Sequence, residues 1–592
     1  MKLLNKKNII VTSVIVIILS VILSMIPYAV SLIPYSPSEP KKTAEGDFAY
    51  VSEYTSNEID KMMKKHNLPS IAVSLLNGDD VFYQQIKGLS NIEEGILADN
   101  ETVYKVGSIA KLFTAVETMR LYDEGLIDLD APITTYIPDF SIKSCLNDSG
   151  VITIRNILAH RSGLPRNGNI PLWAWDNGTL ILRDLVASLE ESYLAFPADC
   201  KFKYSNIGFN ILARIIELKR GEWFANYMRD SFLRPLGMNS SGFISTDIVS
   251  TDKIAVGYFK EKKENIAYQQ YDIITLASGN LYSTLDDMNE FAKFIFNKGN
   301  VDGVQLLNES TLSMMFESHY PKPTDPQKVG MGFFYDRTRL PNNELAVFHA
   351  GINQGTASII ALIPEEQLGV VMFSNSDEFE SISKFLAVEL LELLYEAKTG
   401  LRNEESKIDV ADVSSSILES YVGYYVVEGE IAEVSLVMDK LLIINFWGFD
   451  LNLIPVDDSS FIVKHWLVDF GDIYVKFYQD SLIVNFGHVH YSNSPRYNRS
   501  NEFISEWVPF LGEYKMWLRH FSIYTEEEIP SSIDLKIVDG ILKFSWNNFI
   551  LKPISSSELI IENGPFDGET MFRDSNTGYI YWQTVVFKPA EN

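Results

Sequence analysis

The chain has 592 residues, 46% of them hydrophobic and 22% charged, with a net charge of −28. That length exceeds one ordinary core, since domains run to about 100–200 residues, so two to four folded units are expected. The acidic balance repels phosphate backbones and argues against nucleic acid. The two cysteines, Cys145 and Cys200, form no CxxC or Cys/His cluster, so neither a zinc site nor any other cofactor is indicated; whether they pair is not legible.

Residues 1–8, MKLLNKKN, carry Lys2, Lys6 and Lys7 and no acid, and Ile9 to Ile33 then contains no charge. A bilayer span needs about 20 apolar residues, and basic residues stay cytoplasmic. Segment 9–33 is therefore read as a single-pass anchor in the cell membrane, with the rest of the chain outside. Ala29-Val30-Ser31 also fits a signal-peptidase site, so secretion after cleavage is the competing reading. Residues 34–50, SPSEPKK included, read as a linker.

In the next stretch, 51–400, Ile71 to Gly88 alternates around Asn77-Gly78 as a β-hairpin does. Lys111 to Glu124 predicts a helix closed by Gly125, and Ile207 to Leu218 another closed near Gly221. Leu281 to Asn297 predicts a third. Leu345 to Ser374 reads as two strands around Asn353-Gln354-Gly355, and Phe385 to Ala397 as a last helix ending before Gly400. The pattern suggests a mixed sheet flanked by helices. After a charged linker at 401–413 the helices give way to short alternating segments, and the text repeats: YVGYY at Tyr421 resembles FLGEY at Phe510, VSLVMDKLLIINF at Val434 resembles IDLKIVDGILKFS at Ile533, and FDLNLIPVDDSSFIV at Phe449 resembles FILKPISSSELII at Phe549. Two small antiparallel barrels are expected, 414–500 and 501–592; one larger barrel is the alternative.

Chemistry is concentrated in YKVGSIAKLFTA, Tyr104 to Ala115. If Ser108 opens a helix, Lys111 lies one turn on, over the serine oxygen. The helix start favours negative charge, and Gly107 permits a sharp entry, so Ser108 can serve as an activated nucleophile. SxxK recurs at Ser38/Lys41, Ser250/Lys253 and Ser381/Lys384, without suitable partners. Ser108 has them. Tyr204 and Asn206 stand in KYSNIGFN before the second helix, and a tyrosine near a lysine can move protons with it as a coupled pair. A second YSN at Tyr491 lies among the repeats. VFHAGINQG supplies His349 and Gly351, with Gly351 allowing a strand edge to approach closely and offer an N–H to an oxyanion. The literal KTG box, Lys398-Thr399-Gly400, ends a helix, where such residues are ordinary caps.

The order SxxK, YxN and HxG, with ITIRNILAHRSGLP, LRPLGM, LASGNLYSTLDDM and VFHAGINQGTASIIALIPEEQLGVVMFSN, resembles the serine β-lactamase-related hydrolases. That group includes class C β-lactamases, D-alanyl-D-alanine carboxypeptidases, D-aminopeptidases and esterases. The resemblance covers Val51 to Thr399. It implies a β-lactamase/transpeptidase-like domain, a mixed antiparallel sheet flanked by helices with a helical subdomain, followed by lipocalin-like barrels. The whole is thus multidomain, α/β plus all-β, with an N-terminal membrane helix. It also implies Ser108 as acylated nucleophile, Lys111 as its proton partner and Tyr204 as general base. Asn206 would bind the substrate amide, His349 would line the strand edge near the leaving group, and the N–H groups of Ser108 and Ile352 would form the oxyanion hole. His160 in LAHRSGLP reads as a structural histidine. Histidine in place of lysine in the third box removes a permanent charge for a substrate carboxylate, which points to peptidases and esterases on D-amino-acid peptides, amides or small esters. In D-aminopeptidase-type relatives the barrels restrict access to the site. The rival readings are a penicillin-binding or wall-binding protein with a silent core, a β-lactamase, and barrels that bind ligands. Six N-x-S/T sites, Asn100 and Asn177 among them, suit glycosylation where the host performs it. The oligomeric state is not legible.

Overall fold

The computed structural model describes residues 40–590 except 145, 147, 168–181, 262–263, 321–327, 404–409, 428–429, 438–439, 447–448, 465–472, 479–480, 487–490, 497–502, 520–525, 539–540, 546–548, 563–565 and 583–584. Among the described residues no helix is long and apolar enough to cross a membrane. The expected anchor at 9–33 lies outside them, as does Cys145; Cys200 is exposed.

The α/β domain begins with helix α1 (Phe48–His66), inside the stretch read as linker. Its weak apolar stripe, Val51, Tyr54, Ile59 and Met62, is buried. The expected hairpin forms as β1 (Ser70–Asn77) and β2 (Asp80–Asn91), followed by the short β3 (Ile96–Leu97). Helix α2 is Ala110–Asp123, α3 is Asn206–Arg220 with Gly221 in the left-handed region at its end, α4 is the short Leu276–Gly279, and α5 is Leu285–Phe296. Helix α5 starts later than the sequence pattern suggests, because Tyr282–Ser283 is extended and Thr284 caps the helix. After β4 (Phe334–Asp336), the run expected as two strands makes three: β5 (Ala346–Asn353), β6 (Thr356–Ile363) and β7 (Leu368–Ser374). Pro364 and the left-handed Gln367 break the second run at a turn. Helix α6 (Phe379–Thr399) starts earlier than expected and ends at Gly400, φ +70°.

The seven-stranded sheet has the order β4-β5-β6-β7-β1-β2-β3, with antiparallel pairing throughout. Its central strands are continuous apolar runs because both faces are covered. Ile71, Val73, Leu75, Ile359, Val370 and Met372 pack under α1 and α6. Ala72, Leu76, Ile360, Leu362, Val371 and Phe373 face α2, α3 and α5. Each large aliphatic chain so buried is worth about 1.5–3 kcal/mol.

The repeat is borne out. Strands β8–β15, from Gly423–Val427 to Tyr491–Pro495, form an eight-stranded sheet nearly closed by a bridge between Tyr425 and Arg496. Strands β16–β23, from Gly512–Arg519 to Val585–Pro589, form a closed barrel. The Tyr425 hydroxyl donates to Tyr421 O (2.9 Å) and the Tyr514 hydroxyl to Phe510 O (2.6 Å), the same clasp in both copies. Gly423 pairs with Val434 and Gly512 with Leu535, so Leu535, not Ile533, matches Val434. The shift is two residues, which keeps side chains on the same face. Both interiors are filled, with Phe461, Phe477 and Leu482 in the first barrel and Phe544, Leu551 and Phe587 in the second.

Candidate active site

Ser108 does not open an α-helix directly. It sits in a 3₁₀ turn, Gly107–Ile109, that runs straight into α2. Gly107 has φ +52°, and a Cβ there would lie 2.5 Å from Ile352 N; a Cβ on Gly351 would lie 2.1 Å from Val106 O and 2.8 Å from Ser108 N. Glycine at both positions is what lets strand β5 close against the serine turn. The N–H groups of Ser108 and Ile352, expected to serve an oxyanion, are thereby brought into one corner. Beyond Phe348 the β4 side of strand β5 has no partner among the described residues, because β4 pairs only with Ala346 to Phe348. The free edge from His349 to Asn353 is where an extended substrate can lie.

Lys111 is fully buried. Its Nζ donates to Ser108 Oγ (3.1 Å) and Ser278 O (2.6 Å), and lies 4.8 Å from the centre of the Tyr204 ring. Burial, then the nearby Arg166 charge, lowers its pKa well below the usual lysine value. Tyr204 moves the other way: burial pushes its phenol up to about 12, against the pull of Arg166 and a hydrogen bond with Ser108. The amine is thus driven toward its neutral form while the phenol keeps its proton. At Tyr204 desolvation outweighs the cation field.

His160 stacks on Tyr204 at 4.4 Å between centroids, and its Nδ1 accepts from Ser205 N (3.2 Å). It holds the tyrosine from a left-handed turn position, φ +53°, in keeping with a structural reading. Asn206 begins α3, where Ser205 caps the helix, and its Nδ2 donates to Asn167 Oδ1 (2.7 Å). His349 is buried, its Nδ1 donating to Ala350 O (2.7 Å), and burial with the Lys111 charge drives its pKa down to about 3. It is a neutral ring, so the third box carries no fixed charge. The other candidates are accounted for. Lys253 is paired with Asp99 and Glu101, Lys384 with Glu380, and Lys398 reaches Asn77 and Glu366 at the turn end of the sheet. Tyr491 lies on a barrel strand, and Ser38 outside the described residues.

Several site residues escaped the sequence reading. The Ser278 carbonyl holds Lys111 through its backbone, which leaves no side-chain signature. Lys105 donates to Tyr271 O (2.7 Å) and to the Gln354 side chain, fixing the turn after β5. A loop of the second barrel docks beside Tyr204: Lys201 pairs with Asp567 (2.7 Å), Lys203 with Glu569 (3.2 Å), and Glu569 accepts from Arg166 N (2.8 Å) and Trp582 Nε1 (3.2 Å). Gly568 lies against the Phe196 ring, where a Cβ would approach to 2.2 Å.

A serine turn, a buried lysine and a tyrosine are thus set together between the edge of strand β5 and α3. A family model described as Beta-lactamase matches residues 55–393, and the chain belongs to the Beta-lactamase family, whose fold is generally that of serine hydrolases. It is 23% identical over 326 residues to Protein flp of Staphylococcus aureus (strain N315), covering 54% of this chain and 63% of that one, under two thirds of its length. Among solved structures it resembles the octameric penicillin-binding protein homologue from Pyrococcus abyssi (22% identity, 76% of this chain and 100% of that one, TM-score 0.50). It also resembles EstCE1, a hydrolase with promiscuous acyltransferase activity (16% identity, 58% and 98%, TM-score 0.50). These likenesses concern the fold.

Proposed function

We propose that this chain is an exported, membrane-anchored serine hydrolase that forms an acyl-enzyme on Ser108, a peptidase, amidase or esterase for D-amino-acid peptides or small esters. The observation that carries this is the buried Lys111 amine, 3.1 Å from Ser108 Oγ with its pKa driven down. In acylation the neutral amine takes the Ser108 proton as Oγ attacks the carbonyl carbon. The oxyanion gathers at the Ser108 and Ile352 N–H groups. The Tyr204 phenol then gives its proton to the leaving nitrogen or oxygen and recovers one from the Lys111 ammonium, so the acyl group stays on Ser108 and the proton count closes. Water attacks the ester by the reverse relay. Asn206 on one side and the free β5 edge on the other orient the acyl chain. The neutral His349 supplies no anchor of the kind a third-box lysine gives, which favours peptide and ester substrates over efficient β-lactam hydrolysis. The charge-free run Ile9 to Ile33 after three lysines supports export.

The test is mass spectrometry after treatment with a fluorophosphonate. The expected result is one adduct on the peptide containing Ser108, absent from S108A. A protein that folds but takes no label at Ser108 has a silent core and is a binding protein instead.

A further inference from the structure

The residues Ala277 to Leu281, from α4 into the chain that follows it, are all buried. Every element that carries a site group is tied to them. From α2, Thr114 Oγ1 donates to Ala277 O (2.8 Å) and Lys111 Nζ to Ser278 O (2.6 Å). From strand β5, Asn353 Nδ2 donates to Gly279 O (2.8 Å). At the entry to the serine turn, Val106 N donates to Leu281 O (2.9 Å). Helix α3 joins through Asn210, whose Nδ2 donates to Ser278 Oγ (3.1 Å) and to Asn206 O (2.9 Å). A helix as short as α4 cannot satisfy its last carbonyls from within, so side chains of α2 and β5 take them up.

Two of these bonds start from opposite sides of the chemistry. Lys111 and Asn353 hold neighbouring carbonyls, Ser278 O and Gly279 O. In acylation Lys111 takes the Ser108 proton while charge gathers at the Ile352 N–H, so base and oxyanion donor have to be in place together. Pairing fixes this end of β5 on one side: β6 pairs with it as far as Asn353 and Thr356, whereas β4 reaches Phe348. The rest depends on the buried face of the strand, where His349, Gly351 and Asn353 alternate. His349 turns its Nδ1 onto Ala350 O of its own strand and Gly351 has no side chain, so Asn353 is the member that reaches across to α4. It is 8% exposed, where water gives a lost hydrogen bond little replacement. The next residue is secured as well, the Gln354 side chain by Lys105.

We propose that Asn353 is a positioning residue for acyl transfer: through Gly279 it locks the oxyanion end of β5 to the carbonyl that holds Lys111, so that oxyanion donor and base move as one body. This rests on the acyl-enzyme reading above. Asn353 acts through Ile352 and α4, not on a reacting atom. Without its amide the buried Gly279 carbonyl loses its donor, and α4 has to shift or open to find another. The Ser278 carbonyl, one residue away, moves with it, and so does the Lys111 amine.

The test uses N353L, which keeps the size of the side chain and removes the donor, and N353S, which is too short to reach Gly279 O and gentler on the fold. The first readout is amide hydrogen exchange of the full chain. In either variant exchange should quicken at residues 276–281 as well as at 349–353; quickening confined to β5 and β6 overturns the proposal. The second readout is the rate of fluorophosphonate labelling at Ser108 against pH. The rate should fall about 10- to 100-fold, the scale of an oxyanion donor displaced but not lost. Its acid limb should move to higher pH, because burial is the largest cause of the lowered Lys111 pKa and a loosened α4 admits water. Tyr204, His160, His349 and Arg166, which also face Lys111, keep their side chains in both variants. A slower rate with an unmoved or lowered limb means that Asn353 shapes β5 alone, and overturns the coupling. Wild-type protein that takes no label at Ser108 counts against the acyl-enzyme reading, and the exchange readout then decides the link between β5 and α4 by itself.

Discussion

Replacing Glu569 with alanine should disturb chemistry on a different domain. Glu569 and Lys203 are 3% and 5% exposed, and Lys203 directly precedes Tyr204. Removing one member of a buried pair strands the other charge, at a typical cost of about 3–5 kcal/mol. Lys203 also donates to the main-chain oxygen of Asp567 (2.8 Å), whose carboxylate is engaged by Lys201. Burial already depresses the Lys203 pKa, and the Glu569 charge is the main influence holding it up. E569A should therefore shift the docking equilibrium of the second barrel by about 3 kcal/mol, roughly a hundredfold. The assay is amide hydrogen exchange over residues 201–206, read beside kcat/KM on a neutral ester. Exchange should quicken and kcat should fall. K203M alone should behave similarly, because it removes the cation beside the buried Glu569 carboxylate, whereas E569A/K203M should recover most of the loss. If the two single effects simply add, to within about 0.5 kcal/mol, the pair is not coupled and the reasoning fails.

Other outcomes follow from the same site. G351A should slow labelling of Ser108 by more than about a hundredfold, the scale of losing one oxyanion donor, because the new Cβ would meet Val106 O at 2.1 Å; near-normal labelling would refute the close-approach argument. The acid limb of kcat/KM belongs to Lys111, whose activity as a base is present above its lowered pKa and lost below it. Since Arg166 is one cause of that lowering, R166Q should move the limb to higher pH, and a shift to lower pH would contradict the assignment. The His349 pKa is depressed to about 3 from 6.5, so between these values the unfolded chain holds one more proton and stability falls as pH falls. H349Q should flatten that slope by up to about 1.4 kcal/mol per pH unit, measured on urea midpoints of the folded chain from pH 6.5 to 4. An unchanged slope would place the titration elsewhere.

What was legible in the sequence was what local spacing encodes. Ser108 and Lys111 are one turn apart, Tyr204 and Asn206 flank a cap, and Gly351 marks a close approach, so each could be found within a few residues. The barrel repeat was legible because strand alternation and turns leave a period. The two-residue shift between Ile533 and Leu535 was not, since alternation is blind to even displacements. The third strand, β7, was hidden because an apolar run does not announce its turn until Pro364 and Gln367 are weighed. Lys203 and Glu569 were out of reach altogether: nothing near either residue signals a partner so far along the chain. The protonation roles of Lys111 and Tyr204 depended on burial, which residue types alone do not reveal.

The clasp between Glu569 and Lys203 also orders events in time. About 170 residues separate the end of α6 at Thr399 from Glu569, and synthesis at ~5–20 residues per second takes roughly 10–30 seconds to supply them. Throughout that interval the α/β domain is already made, yet the lysine before its tyrosine still waits for its Glu569 partner. The nascent domain must either keep that wall open to water or wait. A ribosome that stalls anywhere in the first barrel, or a protease that clips between the barrels, therefore leaves behind a catalytic domain with an unfinished wall, so the far end of the chain acts as a seal applied only once nearly everything before it has been made.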